Sequence, residues 1–205
     1  MIITISRETG SGGHTVGQML AEKLGYAFYD KEIVAEVAKE MHLEETIVLE
    51  NGENLSDKTY LDMASGYIPF SRKNRIPFDE IKQAQDQLIQ RLAKQDNCVI
   101  VGRGANDILK DYPNAFHVFI HADMPHRVAR VQRHEGITGQ ESRIQRELQV
   151  KDHSRSLYCK YFCGKEWGRV ENYNLSVDTS IFTKTQTVEL ILFALQELKE
   201  KTENA

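Results

Sequence analysis

The sequence predicts an α/β protein built on a parallel β-sheet. Short apolar runs of strand length alternate with longer segments whose apolar residues recur every three or four positions. Strands that alternate with helices are typical of a parallel sheet. The first run, residues 1–6, ends at a glycine-rich turn, and a helical pattern follows at once. A chain of 205 residues fits one domain with an insertion better than two independent domains.

The chain opens with a predicted strand, a helix and a second strand. The apolar positions of the first helix begin at Val16 and follow the i, i+3, i+4, i+8 spacing of one helical face. Gly25 is placed to end this helix as a C-terminal cap. Residues 27–29 are expected to form the brief second strand. Asp30 follows that strand directly and is a plausible N-cap of the next helix.

Residues 41–78 interrupt the alternation. They lose the helical period, are rich in Glu, Asn and Ser, and contain glycines and prolines. We therefore expect an inserted, mobile segment here. The helical pattern returns over residues 81–94 and leads into a buried strand at 98–101.

The second half of the chain repeats the pattern of strand and helix. Residues 116–120 predict a strand that is followed by an arginine-rich helix, and residues 141–161 predict one long polar helix or a pair of helices. The last strand is expected at 175–177. Thr183 and Gln186 have the spacing of a capping box, which predicts the start of the terminal helix.

The amino-acid composition argues against a nucleic-acid-binding protein and against a membrane-spanning protein. Lys and Arg total 26 against 30 Asp and Glu, a net charge of -4, so the chain lacks the basic excess that unspecific nucleic-acid binding needs. No apolar stretch approaches the ~20 residues of a membrane span, and the N-terminus does not read as a signal peptide. Three cysteines argue for a reducing compartment rather than a disulfide framework. We expect a cytoplasmic protein with no nucleic-acid or membrane partner.

The segment most informative about function joins the first strand to the first helix. It reads Arg7-Glu8-Thr9-Gly10-Ser11-Gly12-Gly13-His14-Thr15. A glycine-rich turn at this place leaves backbone N–H groups free and directs the positive end of the helix dipole toward an incoming anion, which favours phosphate. The standard pattern G-x-x-x-x-G-K-[ST] is not met. A tight turn with glycines for steric reasons is the alternative.

Four segments carry a resemblance to a known family. Residues 3–16 are similar to the pattern I-x-I-D-G-P-S-G-x-G-K-G-T, residues 24–30 to L-G-x-x-x-L-D, residues 99–104 to a strand that ends in D-G-R-D, and residues 175–179 to L-x-x-D-[ST]. In this order they resemble the cytidylate kinase-like branch of the P-loop nucleoside monophosphate kinases. The resemblance covers most of the chain.

The resemblance implies a three-layer fold, in which helices flank a parallel sheet, and an enzyme. The fold would be a single domain over residues 1–205, with a helical acceptor-side insertion at about 41–95 and a lid at about 127–172. The enzyme would transfer the γ-phosphoryl group of ATP, with Mg²⁺, to a small nucleotide, CMP or dCMP. A catalytically weak nucleotide-binding or regulatory protein, and a kinase for another small acceptor, are the alternatives. The oligomeric state is left open.

The resemblance also implies roles for individual residues. The loop residues that would bind the donor phosphates are Gly10, Ser11, Gly12, Gly13, His14 and Thr15, with Thr15 also supporting the metal. The residues that would bind the acceptor are Asp30, Arg103, Asp152 and Arg155. The lid arginines that would close over the reaction are Arg127, Arg130 and Arg133. A solvated charged face is the alternative for these three. For Arg103 the alternative is a structural role, for Asp30 a helix cap, and for His14 an ordinary polar residue at the start of the helix.

Two departures from the family pattern concern charge. Arg7 replaces the first loop glycine, and Gly13 stands where the family has a phosphate-binding lysine. A register shifted by one residue would put His14 at the lysine position, but it loses the flanking strand and threonine matches. Phosphoryl transfer depends on cations that neutralise the transferring group, so we expect Arg7 to substitute for the lysine. A surface arginine, or a partner of Glu8, is the alternative.

Two further positions differ. The aspartates of D-G-R-D are replaced by Val101 and Gly104. Cys159 and Cys163 lie near His153, but three candidate ligands without a fourth at usual spacing do not make a structural zinc site.

Overall fold

A parallel β-sheet organises the computed structural model, which describes residues 1–50, 53, 55–65, 78–95, 97–136 and 138–203. Its strands are β1 (Ile2–Arg7), β2 (Ala27–Tyr29), β3 (Cys98–Val101), β4 (Ala115–His121) and β5 (Leu175–Asp178). They lie in the order β2-β3-β1-β4-β5, and every neighbouring pair is parallel. The parallel α/β sheet predicted from the sequence is confirmed.

Helices connect the strands and cover both faces of the sheet. The helices before β4 are α1 (Gly13–Leu24), α2 (Lys31–Met41), α3 (Glu45–Glu50), α4 (Asp57–Ala64), α5 (Phe78–Lys94) and α6 (Ala105–Ile108). Those after it are α7 (Met124–Glu135), α8 (Glu141–Phe162) and α9 (Lys184–Glu203), with a 3₁₀ turn at Val170–Asn172. Within the described ranges, no helix combines the length and apolar character that crossing a bilayer requires.

Two hydrophobic layers hold the helices on the sheet. Because successive side chains of a strand point to opposite faces, Ile2 packs with α2 and α5 on one face, whereas Ile3 and Ile5 pack with α1 and α9 on the other. The register sets Ile3 of β1 between Val99 of β3 and Phe116 of β4. A central strand that is buried on both faces has a continuous apolar sequence, which accounts for the apolar run of residues 1–6.

Several element boundaries follow the sequence signals closely. Gly25 ends α1 in the left-handed conformation (φ 67°) with its N–H bonded to backbone carbonyls of the last turn. The capping box is present, because Gln186 N–H donates to Thr183 Oγ1 (3.2 Å) and Thr183 N–H donates to Gln186 Oε1 (2.9 Å). Residues 141–162 form one helix rather than two.

Other expectations need correction. The side chain of Asp30 does not cap α2, because it turns instead toward His14. The segment 41–78, expected to be an inserted and mobile segment, contains α3 and α4, and the start of α5 at Phe78. Its stretch 66–77 lies outside the described residues, so the expected mobility there stays a prediction.

Candidate active site

The loop that follows β1 has the backbone geometry of an anion cradle. Gly10 (φ 81°) and Gly12 (φ 90°) adopt the left-handed region, which glycine enters without steric cost. Gly13, His14 and Thr15 form the first turn of α1, so their N–H groups have no acceptor within the helix. Gly12, as the N-cap, has no side chain to satisfy them. An anion placed here meets free amides and the positive end of the helix dipole.

Internal hydrogen bonds keep this loop in shape. Ser11 is fully buried, and its hydroxyl and N–H both donate to the carbonyl of Glu8 at 2.9 and 3.2 Å. Thr179, which follows β5, donates its hydroxyl to the Ser11 carbonyl at 2.7 Å. Ser11 therefore shapes the loop from within, and the structure does not turn its side chain toward the cleft.

Arg7 occupies the space that a loop side chain would need. A Cβ atom added at Gly13 would lie 2.5 Å from Arg7 Cβ and 2.9 Å from Arg7 Cγ. These atoms form the anchored start of the side chain and cannot swing aside. A side chain at position 13 would therefore force Arg7 or the loop backbone to shift. The two departures from the family pattern are thus sterically linked.

A basic cleft of about 330 Å³ opens over the loop. The loop residues that line it are Glu8, Thr9, Gly10, Gly12, Gly13, His14 and Thr15. The side chains around them are Arg7, Arg130, Val131, His134, Arg155 and Lys184. Four of these six are permanent cations, so the cleft attracts an anion. Lys184 was not among the residues predicted from the sequence.

Arg127 ties the loop to the long helix α8. Its side chain is 5% exposed, its Nε donates to the Thr9 carbonyl at 2.7 Å, and its other nitrogens pair with Glu8 and Asp152. Asp152 in turn accepts from the N–H and the hydroxyl of Thr9, both at 2.8 Å. Arg127 and Asp152 thus hold α7 and α8 on the loop, and neither side chain lines the cleft.

The other two lid arginines differ from each other. Arg130 lines the cleft and donates to the Gly10 carbonyl at 2.9 Å and to Thr179 at 3.4 Å. Burial, and then the charge of Arg133, lowers the pKa of Arg130. Arg133 itself is exposed on α7 and does not line the cleft. Its closing over the reaction stays a prediction.

Two of the four expected acceptor residues, Arg103 and Arg155, meet at a carboxylate that sequence reasoning missed. Glu53 is 9% exposed, its Oε2 lies 3.2 Å from Arg7 Nη1 and 3.6 Å from Arg155 Nε, and its Oε1 accepts from the Arg103 N–H. Burial alone would raise the pKa of Glu53, but Arg7, Arg103 and Arg155 together lower it to about 2. Nothing local in the sequence distinguishes this glutamate from the many around it.

Asp30 and His14 form a second group beside Arg7. His14 Nδ1 lies 2.5 Å from Asp30 Oδ2, and the His14 ring packs edge-on against Phe28. Asp30 is 7% exposed and its other oxygen lies 3.8 Å from Arg7 Nη2. Arg7 is therefore neither a surface residue nor a partner of Glu8. Its guanidinium extends over Gly102, where an added Cβ would collide with it.

The cleft over the loop and a small neighbouring cavity share two arginines. Arg7 and Arg155 line both the cleft and this cavity, which lies beside Glu53 and Tyr158. That cavity measures about 20 Å³, which is roughly the room of one water molecule. With the Glu53 side chain in this position, the cavity is too small for a ligand of nucleotide size.

Arg103 lies beside Glu53, to which its N–H donates. It is 6% exposed and has a positive φ of 60°, an uncommon conformation for a residue other than glycine. Its carbonyl accepts from Gln85 at 3.3 Å, whereas its buried Nε has no hydrogen-bond partner among the described residues. Strained backbone and an unsatisfied buried donor are together typical of ligand sites.

The residues at the cleft fit a magnesium nucleotide without a dedicated metal cage. The described parts of the chain contain no cluster of three or more His, Cys, Asp or Glu side chains that could hold a metal ion. Mg²⁺ is commonly bound through substrate phosphates, water and one or two protein oxygens. Thr15 lines the cleft and carries a hydroxyl oxygen.

Comparison with known proteins agrees with this geometry. A model of the cytidylate kinase-like family matches residues 2–181. The chain belongs to the cytidylate kinase-like family. Among its relatives, the cytidylate kinase of Methanosarcina acetivorans is 24% identical over 200 residues, which cover 97% of this chain and 98% of the relative. Membership makes the chain a nucleotide-binding, kinase-like protein, as the resemblance implied.

Solved structures confirm the kinase-like fold. The crystal structure of an uncharacterized protein from Eubacterium ventriosum superposes with a TM-score of 0.70 at 27% identity, covering 96% of this chain and 98% of that one. A gluconokinase from Sinorhizobium meliloti superposes with a TM-score of 0.53 at 21% identity, covering 98% and 94%. The predicted P-loop nucleoside monophosphate kinase-like fold, with helices on both faces of a parallel sheet, is confirmed.

Proposed function

We propose that this protein transfers the γ-phosphoryl group of ATP to a nucleoside monophosphate, CMP or dCMP. The observation that carries the proposal is the basic cleft over a glycine loop at the start of α1, in a chain that belongs to the cytidylate kinase-like family. An oxygen of the acceptor phosphate attacks the γ-phosphorus, the bond from that phosphorus to the β,γ-bridging oxygen breaks, and ADP leaves.

On the donor side, the loop binds the triphosphate through its backbone. The amides of Gly12 to Thr15 surround the β- and γ-phosphates, and Arg130 supports them from α7. The Thr15 hydroxyl, which lines the cleft, would hold the Mg²⁺ that accompanies the nucleotide, and the ion would neutralise part of the phosphate charge. Arg7 lines both the donor and the acceptor side. We therefore assign it the neutralisation of the group in transfer, where charge develops in the transition state.

On the acceptor side, Arg103 and Arg155 bind the phosphate of the monophosphate. An arginine fork matches phosphate geometry, and the carboxylate of Glu53 already lies beside both arginines and Arg7. The acceptor phosphate takes the place of this carboxylate. Asp30 orients the acceptor nucleoside, and Asp152 positions Arg155, which donates to it at 3.0 Å. The net charge of -4 supports an enzyme without nucleic-acid partners, and the three cysteines support a cytoplasmic location.

Two other functions fit parts of the site. The missing loop lysine favours a protein that binds a nucleotide but turns it over weakly. The likeness to a gluconokinase favours a different small acceptor, because one fold serves many substrates. Neither accounts as well for the paired arginines and buried carboxylate beside the loop.

A coupled assay for ADP release across a panel of nucleoside monophosphates and sugar acids tests these functions. Turnover with CMP or dCMP supports the proposal. ATP binding without acceptor-dependent turnover favours the weak nucleotide-binding protein, and turnover only with a non-nucleotide acceptor favours the third function.

A further inference from the structure

We propose that Lys184, the first residue of α9, supplies the cation that the phosphate loop lacks and contacts the donor phosphates. The proposal rests on the function proposed above and names a residue that no motif of the loop includes. In this proposal the donor site combines the loop before α1 with a residue of the last helix, α9.

The position of Lys184 is the first argument. Its Cε lies 3.5 Å from the place of a Cβ atom at Gly12, and Arg130 Nη1 lies 3.2 Å from the same place. Gly12 is the N-cap of α1, so Lys184 stands directly over the amides that would hold phosphate. Its side chain lines the cleft.

The backbone that carries Lys184 is fastened to the loop. The capping box between Thr183 and Gln186 determines where α9 begins. Upstream, the Thr179 hydroxyl donates to the carbonyl of Ser11, inside the loop, at 2.7 Å. The ammonium group is thus presented from a rigid support, as a phosphate-binding group must be.

The other cations near the cleft already have partners. Before an acceptor displaces Glu53, Arg7 pairs with Glu53 and Asp30, and Arg155 pairs with Asp152 and Glu53. Arg130 donates to backbone and hydroxyl oxygens. In the part of the chain that the structure describes, Lys184 forms no ion pair, so its charge is available to a ligand.

The dipole of α9 does not favour a lysine at position 184. A cation in the first turn of a helix faces the positive end of the helix dipole, which is unfavourable, and the first turn of α9 holds no acidic residue to compensate. An anion between the N-termini of α1 and α9 would reverse this penalty. Because a side chain at position 13 would force Arg7 or the loop backbone to shift, the charge comes more readily from another element.

The test compares Lys184→Gln and Lys184→Arg with the control Lys199→Gln, which removes an exposed lysine from the same helix. Calorimetry measures the binding of a non-hydrolysable ATP analogue and of adenosine, and the coupled assay measures turnover. Loss of a charged hydrogen bond to phosphate corresponds to roughly 10- to 100-fold weaker binding. We expect that loss for the ATP analogue with Lys184→Gln, unchanged adenosine binding, substantial recovery with Lys184→Arg and no effect of the control.

The outcomes separate the two proposals. If the unmodified protein binds the ATP analogue and Lys184→Gln binds it equally well, the role of Lys184 is overturned while the proposed function stands. If the unmodified protein binds neither the analogue nor ATP, the proposed function falls, and the role of Lys184 with it. Equal weakening of ATP analogue and adenosine by Lys184→Gln would indicate a folding defect and overturn the phosphate contact.

Discussion

At the scale of single residues, the pairing of opposite charges defines the site. Arg7 contacts Glu53 and Asp30 and passes over two glycines whose missing side chains give it room. The sequence identified Arg7 as the unusual residue of the loop. Its partners come from segments remote in sequence, so only the packed structure reveals them.

The first prediction concerns the coupling of Gly13 and Arg7. Alanine in a helix is normally better than glycine by about 0.5–1 kcal/mol, but a Cβ at position 13 collides with Arg7. We expect Gly13→Ala to lower the free energy of unfolding by about 1–3 kcal/mol, the usual cost of overpacking. In an Arg7→Gly background the same change should be neutral or stabilising. Urea unfolding of the four proteins of this double-mutant cycle measures the coupling, and additive effects would contradict it.

The second prediction concerns the rate contribution of Arg7. Removing one charge contact to a transition state typically costs about 10²-fold or more in kcat. We expect Arg7→Ala to lower kcat by at least that factor in the coupled assay, while the folded state persists by circular dichroism. An unchanged kcat would remove Arg7 from the mechanism.

The third prediction concerns pH and Glu53. The pKa of Glu53 is about 2 in the folded protein and 4.5 as a reference value. The carboxylate therefore contributes stability that is complete above about pH 5 and is lost as the pH falls toward 2, in total about 3 kcal/mol. We expect Glu53→Gln to be less stable than the unmodified protein at pH 7 and to lose less stability on acidification. Equilibrium unfolding at pH 7, 5, 4 and 3, with exposed Glu36→Gln as control, tests this; parallel pH profiles would refute it.

At the scale of elements, the N-terminal ends of two helices provide groups of the site. The N-terminus of α1 provides the amides of the cradle, and the N-terminus of α9 places Lys184 over them. Helix α8 carries Asp152 and Arg155 to the loop on one face of a single uninterrupted helix. The sequence predicted α9 from its capping box, because a cap is a local signal. It could not distinguish one helix from two over residues 141–161, because that choice depends on packing against α4 and α7.

The fourth prediction tests the start of α9. Thr183→Ala removes the hydroxyl that accepts from the Gln186 N–H, and loss of an N-cap costs about 1 kcal/mol. We expect that loss in thermal or urea unfolding, with weaker binding of the ATP analogue because Lys184 loses its support. Thr185→Ala, an exposed position in the same turn, should change neither quantity measurably. Equal effects of the two substitutions would contradict the capping argument.

At the scale of the whole molecule, the sheet order brings the site together. β1 lies between β3 and β4, so the loop after β1, Arg103 after β3 and α7 after β4 all arise at the carboxyl edge of the sheet. Ligands of open parallel sheets bind at this edge. The alternation of strands and helices predicted such an edge, but it did not predict that the carboxylate of Glu53 would lie there among Arg7, Arg103 and Arg155.

The fifth prediction concerns stabilisation of the whole fold by the donor. A ligand at about 100 times its Kd adds about 2.7 kcal/mol to the free energy of unfolding, which is roughly 5–10 °C in Tm for a protein of this size. We expect the non-hydrolysable ATP analogue to produce that shift in differential scanning fluorimetry, and adenosine at the same concentration to produce little. Equal shifts with both ligands would mean that the loop does not hold the phosphates.

The sequence by itself determined the parallel α/β architecture, the position of the glycine loop and the membership in a kinase-like family. Strand and helix periods, glycine turns and caps are local signals, because each depends on residues close together in the chain. Only the tertiary structure decided which charges act together. The pairing of Glu53 with Arg7, Arg103 and Arg155, and the place of Lys184 over Gly12, join residues far apart in the chain. Such contacts depend on how helices pack on the sheet, and this packing leaves no trace in the local spacing of residues.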